Sequence, residues 1–348
     1  MQNTTVSITP EILKLIAEID EFKGRWEALK NLTPERLNQL RKVATIESVG
    51  SSTRIEGAQL SDREVEQLMS KLDQVSFQSR DEEEVAGYAE AMNLIFDAWK
   101  EIPLTENHIK QLHAVTLKYS RKDQRHRGEY KKFPNHVEAF DASGKSLGVI
   151  FETATPFDTP RDMTALIAWT REAQADGRLH PLLRIALFVV RFLAIHPFQD
   201  GNGRLSRILT VLFLLQAGYL YVPYASLEHF IETNKDTYYL ALRKTQSTLQ
   251  TDTPDWEPWL LFFLRVLKAQ KDSLEQKVAH EKILARALPK LSLTILELVK
   301  ARGSLTISEA EKLTGAPRGT IKARLSALVQ DGFLKRQGKA RASWYTLI

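Results

Sequence analysis

The chain has no cysteine, so neither a disulfide framework nor a thiolate-held metal can form. It also lacks a membrane-length apolar run. Leu182 to Ile195 is broken by Arg184 and Arg191, and Ile208 to Leu215 covers only eight residues, where a spanning helix needs roughly 20. The first residues, MQNTTVSITPEILKLIAEID, have no basic start and no apolar core, so no secretory leader is read there and the expected address is the cytoplasm. What is present is an ordinary globular composition, 43% hydrophobic and 26% charged over 348 residues. That length suits two or three domains with sizeable cores.

The net charge is small, +5, but unevenly spread. From Ala285 to Ile348 twelve basic residues stand against four acidic ones, a net +8 that leaves the rest of the chain at −3. Basicity confined to one end is what a nucleic-acid-binding module needs. The segment reads as a helix (Leu291 to Ala301), a helix (Ile307 to Leu313), a turn at Thr314-Gly315-Ala316-Pro317, a helix (Arg318 to Asp331) and two strands flanking Gly338-Lys339. This order resembles a winged helix-turn-helix domain, with Arg318, Lys322 and Arg324 on the recognition helix and Lys339 and Arg341 in the wing. Such modules also bind proteins or a second copy of themselves, so DNA, a protein partner and a homodimer all stay open.

Upstream the pattern is mainly α. Residues 10 to 45 carry apolar positions at helical spacing, Ser61-Asp62-Arg63-Glu64 caps a helix, Asp81 to Lys100 opens with acidic residues as a helix does, and Thr105 caps another through Leu117. From His136 to Glu152 the period changes to short runs around Asp141-Ala142-Ser143-Gly144-Lys145, which predicts a β-hairpin. Helical pattern returns at Arg161 to Ala175, at the apolar segments Leu182 to Ile195 and Arg204 to Gln216, and at Glu228 to Thr248 and Trp256 to Lys277. The expected division is an N-terminal helical region (1–80), a core (81–250), a helical connector (251–288) and the basic module (289–348).

Between the two apolar helices lies His196-Pro197-Phe198-Gln199-Asp200-Gly201-Asn202-Gly203-Arg204-Leu205-Ser206-Arg207. Gly201-Asn202-Gly203 opens the second helix, where unpaired N–H groups and the positive end of the helix dipole attract anions. Arg204 and Arg207, three residues apart, can clamp phosphate oxygens from one face. Asp200 suits a Mg²⁺ shared with those phosphates, and His196 is the proton acceptor for an attacking hydroxyl. Alone, a His before Pro marks a helix end and Gly-Asn-Gly a turn; together with two phased arginines they point to polyphosphate chemistry.

This stretch resembles the signature of the Fic (filamentation induced by cyclic AMP) family, H-x-F-x-D/E-G-N-G-R-x-x-R, at every fixed position. The resemblance implies a helical Fic core with a β-hairpin flap, acting as a protein adenylyltransferase that moves AMP from ATP to a Ser, Thr or Tyr hydroxyl of a target protein, the chain itself included. It implies His196 as general base, Phe198 as the buried anchor of the loop and Asp200 as the Mg²⁺ ligand. Gly201, Asn202, Gly203, Arg204, Leu205, Ser206 and Arg207 become the ATP-phosphate segment, with Arg207 at the γ-phosphate. The hairpin becomes a flap over the nucleotide that adds a strand from the target, with Val137 among its contacts, and Tyr238 and Tyr239 line the adenine pocket. From the residues alone, the hairpin can also be a plain surface hairpin and the tyrosines core. Ahead of the flap, Glu129-Tyr130-Lys131-Lys132 departs from the arginine-containing run commoner in the family.

Ser52-Thr53-Arg54-Ile55-Glu56-Gly57 resembles the family's inhibitory motif, S/T-x-x-x-E-G/N. The resemblance implies that Ser52, Glu56 and Gly57 belong to a helix N-terminal to the core, and that Glu56 pairs with Arg207 and blocks the γ-phosphate. The same residues also read as a capping box, Thr53 to Glu56, in which Glu56 closes its own helix start. Two further activities fit the pattern: removal of AMP from a modified target with Glu56 orienting a water, and a DNA-binding regulator whose Fic core senses ATP.

Overall fold

The computed structural model describes residues 6–28, 34–72, 76–140, 146–287, 289–338 and 343–347. The chain divides into two units, residues 1–274 and 275–348. In the first, α1 (Pro10–Ala28), α2 (Pro34–Ile55), α3 (Asp62–Met69), α4 (Arg80–Ala98) and α5 (Glu106–Thr116) precede a hairpin of β1 (His136–Phe140) and β2 (Ser146–Glu152). After it come α6 (Thr159–Asp176), α7 (Pro181–Ile195), α8 (Asn202–Gln216), α9 (Leu227–Thr233), α10 (Lys235–Gln246) and α11 (Glu257–Ala287). The Ser61 capping box and the Thr105 cap form as predicted.

The order of burial follows from composition. α7 is apolar on nearly every face, so it must be covered all round, and α6, α8 and α10 pack against it. Its one charge deep in that packing, Arg191, lies over the rings of Trp169 and Trp256 at 4.4 and 5.0 Å, where cation–π attraction offsets lost hydration. α8 runs into the same core, with Phe213 edge-on to Phe188 at 4.9 Å. α2 buries small residues, Ala44, Ser48, Ser51 and Ser52 among them, which lets its end lie close against α9, α4 and α8. At Gly87 of α4 a Cβ would stand 2.0 Å from the Thr116 carbonyl oxygen. Only glycine permits α4 and α5 to approach there.

Three sequence expectations are corrected. Residues 228–248 are not one helix: α9 ends and α10 begins at Asn234, whose Nδ2 donates to the Phe230 carbonyl 2.9 Å away and so terminates the first helix. The helix read as Trp256 to Lys277 continues to Ala287, and its first half is no mere connector, because Trp259, Leu260, Leu264 and Leu267 are buried core. In the second unit a further strand, β3 (Leu305–Thr306), joins the two that were expected.

That unit holds α12 (Lys290–Arg302), β3, α13 (Ile307–Thr314), α14 (Arg318–Gln330), β4 (Leu334–Gln337) and β5 (Trp344–Leu347). The sheet is antiparallel in the order β3-β5-β4, with Leu305 opposite Tyr345 and Leu334 opposite Leu347. Its core gathers Ile295, Val299, Ile321, Leu325 and Leu328 from the helices onto Leu305 and Tyr345. Lys339 and Arg341 lie outside the described residues, as does the hairpin tip Asp141–Lys145. Among the described residues no helix is long and apolar enough to cross a membrane.

Candidate active site

His196 ends α7 in the left-handed conformation, φ 52°. That unusual backbone for a residue with a side chain turns the chain sharply into the loop and on to α8. Its Nδ1 lies 3.3 Å from the Leu193 carbonyl oxygen, which assigns the proton to Nδ1 and leaves Nε2 with a lone pair. Burial, helped by the positive charge of Lys131, pulls its pKa down to about 4, so the ring is neutral at pH 7 and able to accept a proton. Asn202 pins the loop from inside: its Oδ1 accepts from the Phe198 N–H at 2.9 Å and its Nδ2 donates to the Phe198 carbonyl at 2.7 Å. Phe198 is fully buried and stacks on His113 at 3.8 Å.

Asp200 and Arg204 face one another across the first turn of α8, Nη2 to Oδ1 3.0 Å. Arg80 reaches the second carboxylate oxygen at 2.9 Å. Burial would raise the Asp200 pKa, but Arg204, the Gly201 amide and Arg80 outweigh it and hold the group low. It is therefore ionised. Among the described residues no group of three or more His, Asp or Glu could cage a metal unaided. Leu205 is core, and the Ser206 hydroxyl donates to the Gly203 carbonyl at 2.7 Å.

Arg207 is 3% exposed. Its Nε donates to Ser52 Oγ at 2.8 Å and its Nη2 to the Ser52 carbonyl at 2.9 Å and to Glu56 Oε1 at 2.7 Å. The Glu56 charge holds the guanidinium protonated against its burial. The same carboxylate rests on the mouth of α8: a Cβ on Gly203 would stand 2.1 Å from Glu56 Oε1. Nη1 of Arg207 and Nε and Nη1 of Arg204 are buried without a hydrogen-bond partner, although Arg204 Nη1 makes an ion pair with Glu84 at 3.1 Å. Buried donors left unmade cost about 1–3 kcal/mol each. Their presence beside a helix N-terminus fits a site that takes an anion richer in oxygens than one carboxylate.

The capping-box reading of Thr53 to Glu56 is overturned. α2 ends at Ile55, Glu56 N–H donates to the Thr53 carbonyl as in a closing turn, and Gly57 at φ 108° carries the chain away. The helix start with a capping box is five residues on, at Ser61. The end of α2 is fastened by Arg54, which grips Glu232 of α9 with two bonds of 2.6 and 3.0 Å and Asp62 of α3 at 2.9 Å.

Tyr238 is buried edge-on to Tyr239 and packs with Trp259 and Phe262. Burial raises its pKa to about 12, against the pull of the neighbouring Arg207. Tyr239 is half-buried on the adjoining face of α10. Val137 pairs in register with Phe151 in the hairpin, at the edge of a bulge.

Several residues carry the site without any local motif to announce them. His113 binds the Asp200 carbonyl through Nε2 at 2.9 Å and accepts the Gly128 N–H on Nδ1 at 2.8 Å. Lys131, in the run that departs from the usual arginine, is buried, its pKa pulled down to about 8 by burial. Its Nζ donates to Asn135, Thr153 and the Ile195 carbonyl at 2.8, 2.9 and 3.0 Å, fastening the hairpin base to the residue before His196. Glu228, fully buried, accepts from Tyr88 at 2.9 Å behind Arg207. Glu84 was legible only as one acid in the acidic start of α4.

The chain is similar to several known proteins. Residues 103–214 match the family model described as Fic/DOC family. The protein adenylyltransferase Fic of Drosophila grimshawi is 28% identical over 206 residues, 59% of this chain and 40% of that protein. Its counterpart in Drosophila mojavensis is 27% identical over 218 residues, 61% of this chain and again 40% of the relative. The chain thus spans about two fifths of the length of these curated relatives. Among solved structures, a Fic family protein from Desulfovibrio desulfuricans G20 shares the fold at TM-score 0.65 and 24% identity, over 99% of this chain and 97% of that one. A Fic domain containing signaling protein from Bacteroides thetaiotaomicron aligns at TM-score 0.60 and 26% identity, over 73% of this chain and 94% of that one. Residues 103–214 thus resemble the Fic/DOC family, and the chain is distantly similar to protein adenylyltransferases.

Proposed function

We propose that the chain transfers AMP from ATP to a Ser, Thr or Tyr hydroxyl of a target protein, and that Glu56 holds this activity down. The observation that carries the reading is His196 itself: a neutral imidazole with Nδ1 committed to a backbone carbonyl, at the mouth of an anion-seeking helix with two buried arginines. The target hydroxyl oxygen attacks the α-phosphorus while its proton passes to Nε2 of His196; the bond to the α–β bridging oxygen breaks and pyrophosphate leaves. Asn202 and His113 hold the loop so that these groups keep their positions, and most of the rate comes from positioning and charge stabilisation. Asp200 would hold Mg²⁺, which when bound neutralises charge on the phosphates. Arg204 and Arg207 would take the outer phosphates, and Tyr238 and Tyr239 the side of the adenine. His196→Ala is expected to lower incorporation of label from α-labelled ATP into protein by about 10²-fold or more while ATP still binds. Near wild-type incorporation in that folded variant overturns the assignment.

Inhibition follows from the same contacts. The Glu56 carboxylate occupies the helix mouth and engages the arginine that the γ-phosphate would need. For the C-terminal unit we propose a winged helix-turn-helix that binds duplex DNA, supported by Arg318 and Lys322 exposed on α14, the second helix after a three-residue turn.

A further inference from the structure

On the side of α10 away from Tyr239 and Gln246, a cavity of about 410 Å³ opens between α9, α10 and α11. Helical spacing puts Thr237, Ala241 and Lys244 on one face of α10, with Asn234 at its N-cap, away from Tyr239 and beside Tyr238. Its walls are apolar: Phe230 from α9, Leu240 from α10 and Phe262 and Val266 from α11. Leu240 stands 52% exposed at the rim, which is costly for a leucine unless something covers it. The lining holds two cations, Lys244 and Arg265, and no carboxylate. Lys244 has no ion pair among the described residues, and Arg265 donates through Nε and Nη2 to the half-exposed Glu11 at 3.0 and 2.6 Å, a surface pair that an incoming anion can share. Volume, apolar walls and one sign of charge at the rim together describe a pocket for a small molecule rather than a packing flaw.

We propose that this cavity binds a small amphipathic anion, its chain or ring lying between Phe230 and Phe262 and its carboxylate or phosphate meeting Lys244 and Arg265. The site adjoins the one proposed for AMP transfer: Tyr238 packs on Phe262 at 5.6 Å, and Phe262 and Val266 line both this cavity and the space beside Arg207. Titration calorimetry of the full chain with octanoate, and with octanamide as its uncharged counterpart, tests it. Octanoate is expected to bind saturably at one site per chain. Lys244→Ala should weaken octanoate about fivefold and leave octanamide unchanged, because only the anion uses the ammonium. Thr237→Trp, at an exposed position in the lining, should block both. The proposal is overturned by octanoate showing no saturable binding up to ~10 mM, by Thr237→Trp binding octanoate as wild type does, or by Lys244→Ala weakening the acid and the amide equally.

Discussion

A histidine that is to take a proton at neutral pH must be uncharged beforehand, and at position 196 burial ensures it. The same holds for His113, whose ring is also pulled down to about 4 by burial and must stay neutral, since Nδ1 accepts an N–H that a second ring proton would oppose. Both have a consequence for stability. In the unfolded chain these rings protonate below about 6.5; folded, they do so only near 4. Between those values the unfolded state binds more protons, so stability is full above about pH 6.5 and is lost as pH falls toward 4. Each ring contributes a slope of up to about 1.4 kcal/mol per pH unit. His113→Gln should therefore reduce the fall in unfolding free energy between pH 7 and pH 5, measured by urea titration against wild type. An unchanged slope would mean that His113 is not held neutral by its surroundings.

At the scale of elements, the site is a meeting of two helix ends: α2 closes where α8 opens. The opening of α8 was legible in sequence, because Gly201-Asn202-Gly203 between two apolar helices can do little else. The closing of α2 was not. Thr53 to Glu56 satisfies a start signal as well as an end, and only the position of Ile55 in the packed helix, with Gly57 turning away, decides between them. His113, Glu84, Lys131 and Glu228 stayed invisible for a related reason: each acts across a long sequence separation, on a partner that no local pattern names. Asn234 misled because an exposed polar residue is ordinary inside a helical pattern, yet here its amide also ends α9. Arg54 offers a test of this geometry. It ties the turn at Glu56 to α9 through a bidentate, half-buried pair, worth about 1–3 kcal/mol. Arg54→Ala should loosen Glu56 and raise AMP transfer severalfold in an automodification assay. A decrease, with the protein folded, would show that the clamp supports the site rather than its inhibition.

At the scale of the whole molecule, two units carry opposite net charge. The basic C-terminal unit adopts the predicted order of helices, with a third strand that two residues of sequence, Leu305-Thr306, could not announce. If it binds duplex DNA, affinity of the full chain should fall steeply with salt, each phosphate contact adding about −0.9 to the log–log slope. Absence of binding at low salt would make it a protein-interaction module. In the larger unit, the N-terminal helices are packed onto the core rather than strung before it, which is what lets one glutamate reach the mouth of α8. The most direct measurement is automodification by wild type, Glu56→Gly and the double variant Glu56→Gly, Arg207→Ala, side by side with α-labelled ATP. The single variant frees a buried guanidinium whose pairing is worth several kcal/mol when broken, and its transfer should rise at least about tenfold; the double variant should lose that gain. Transfer by Glu56→Gly no faster than wild type would contradict inhibition by this residue.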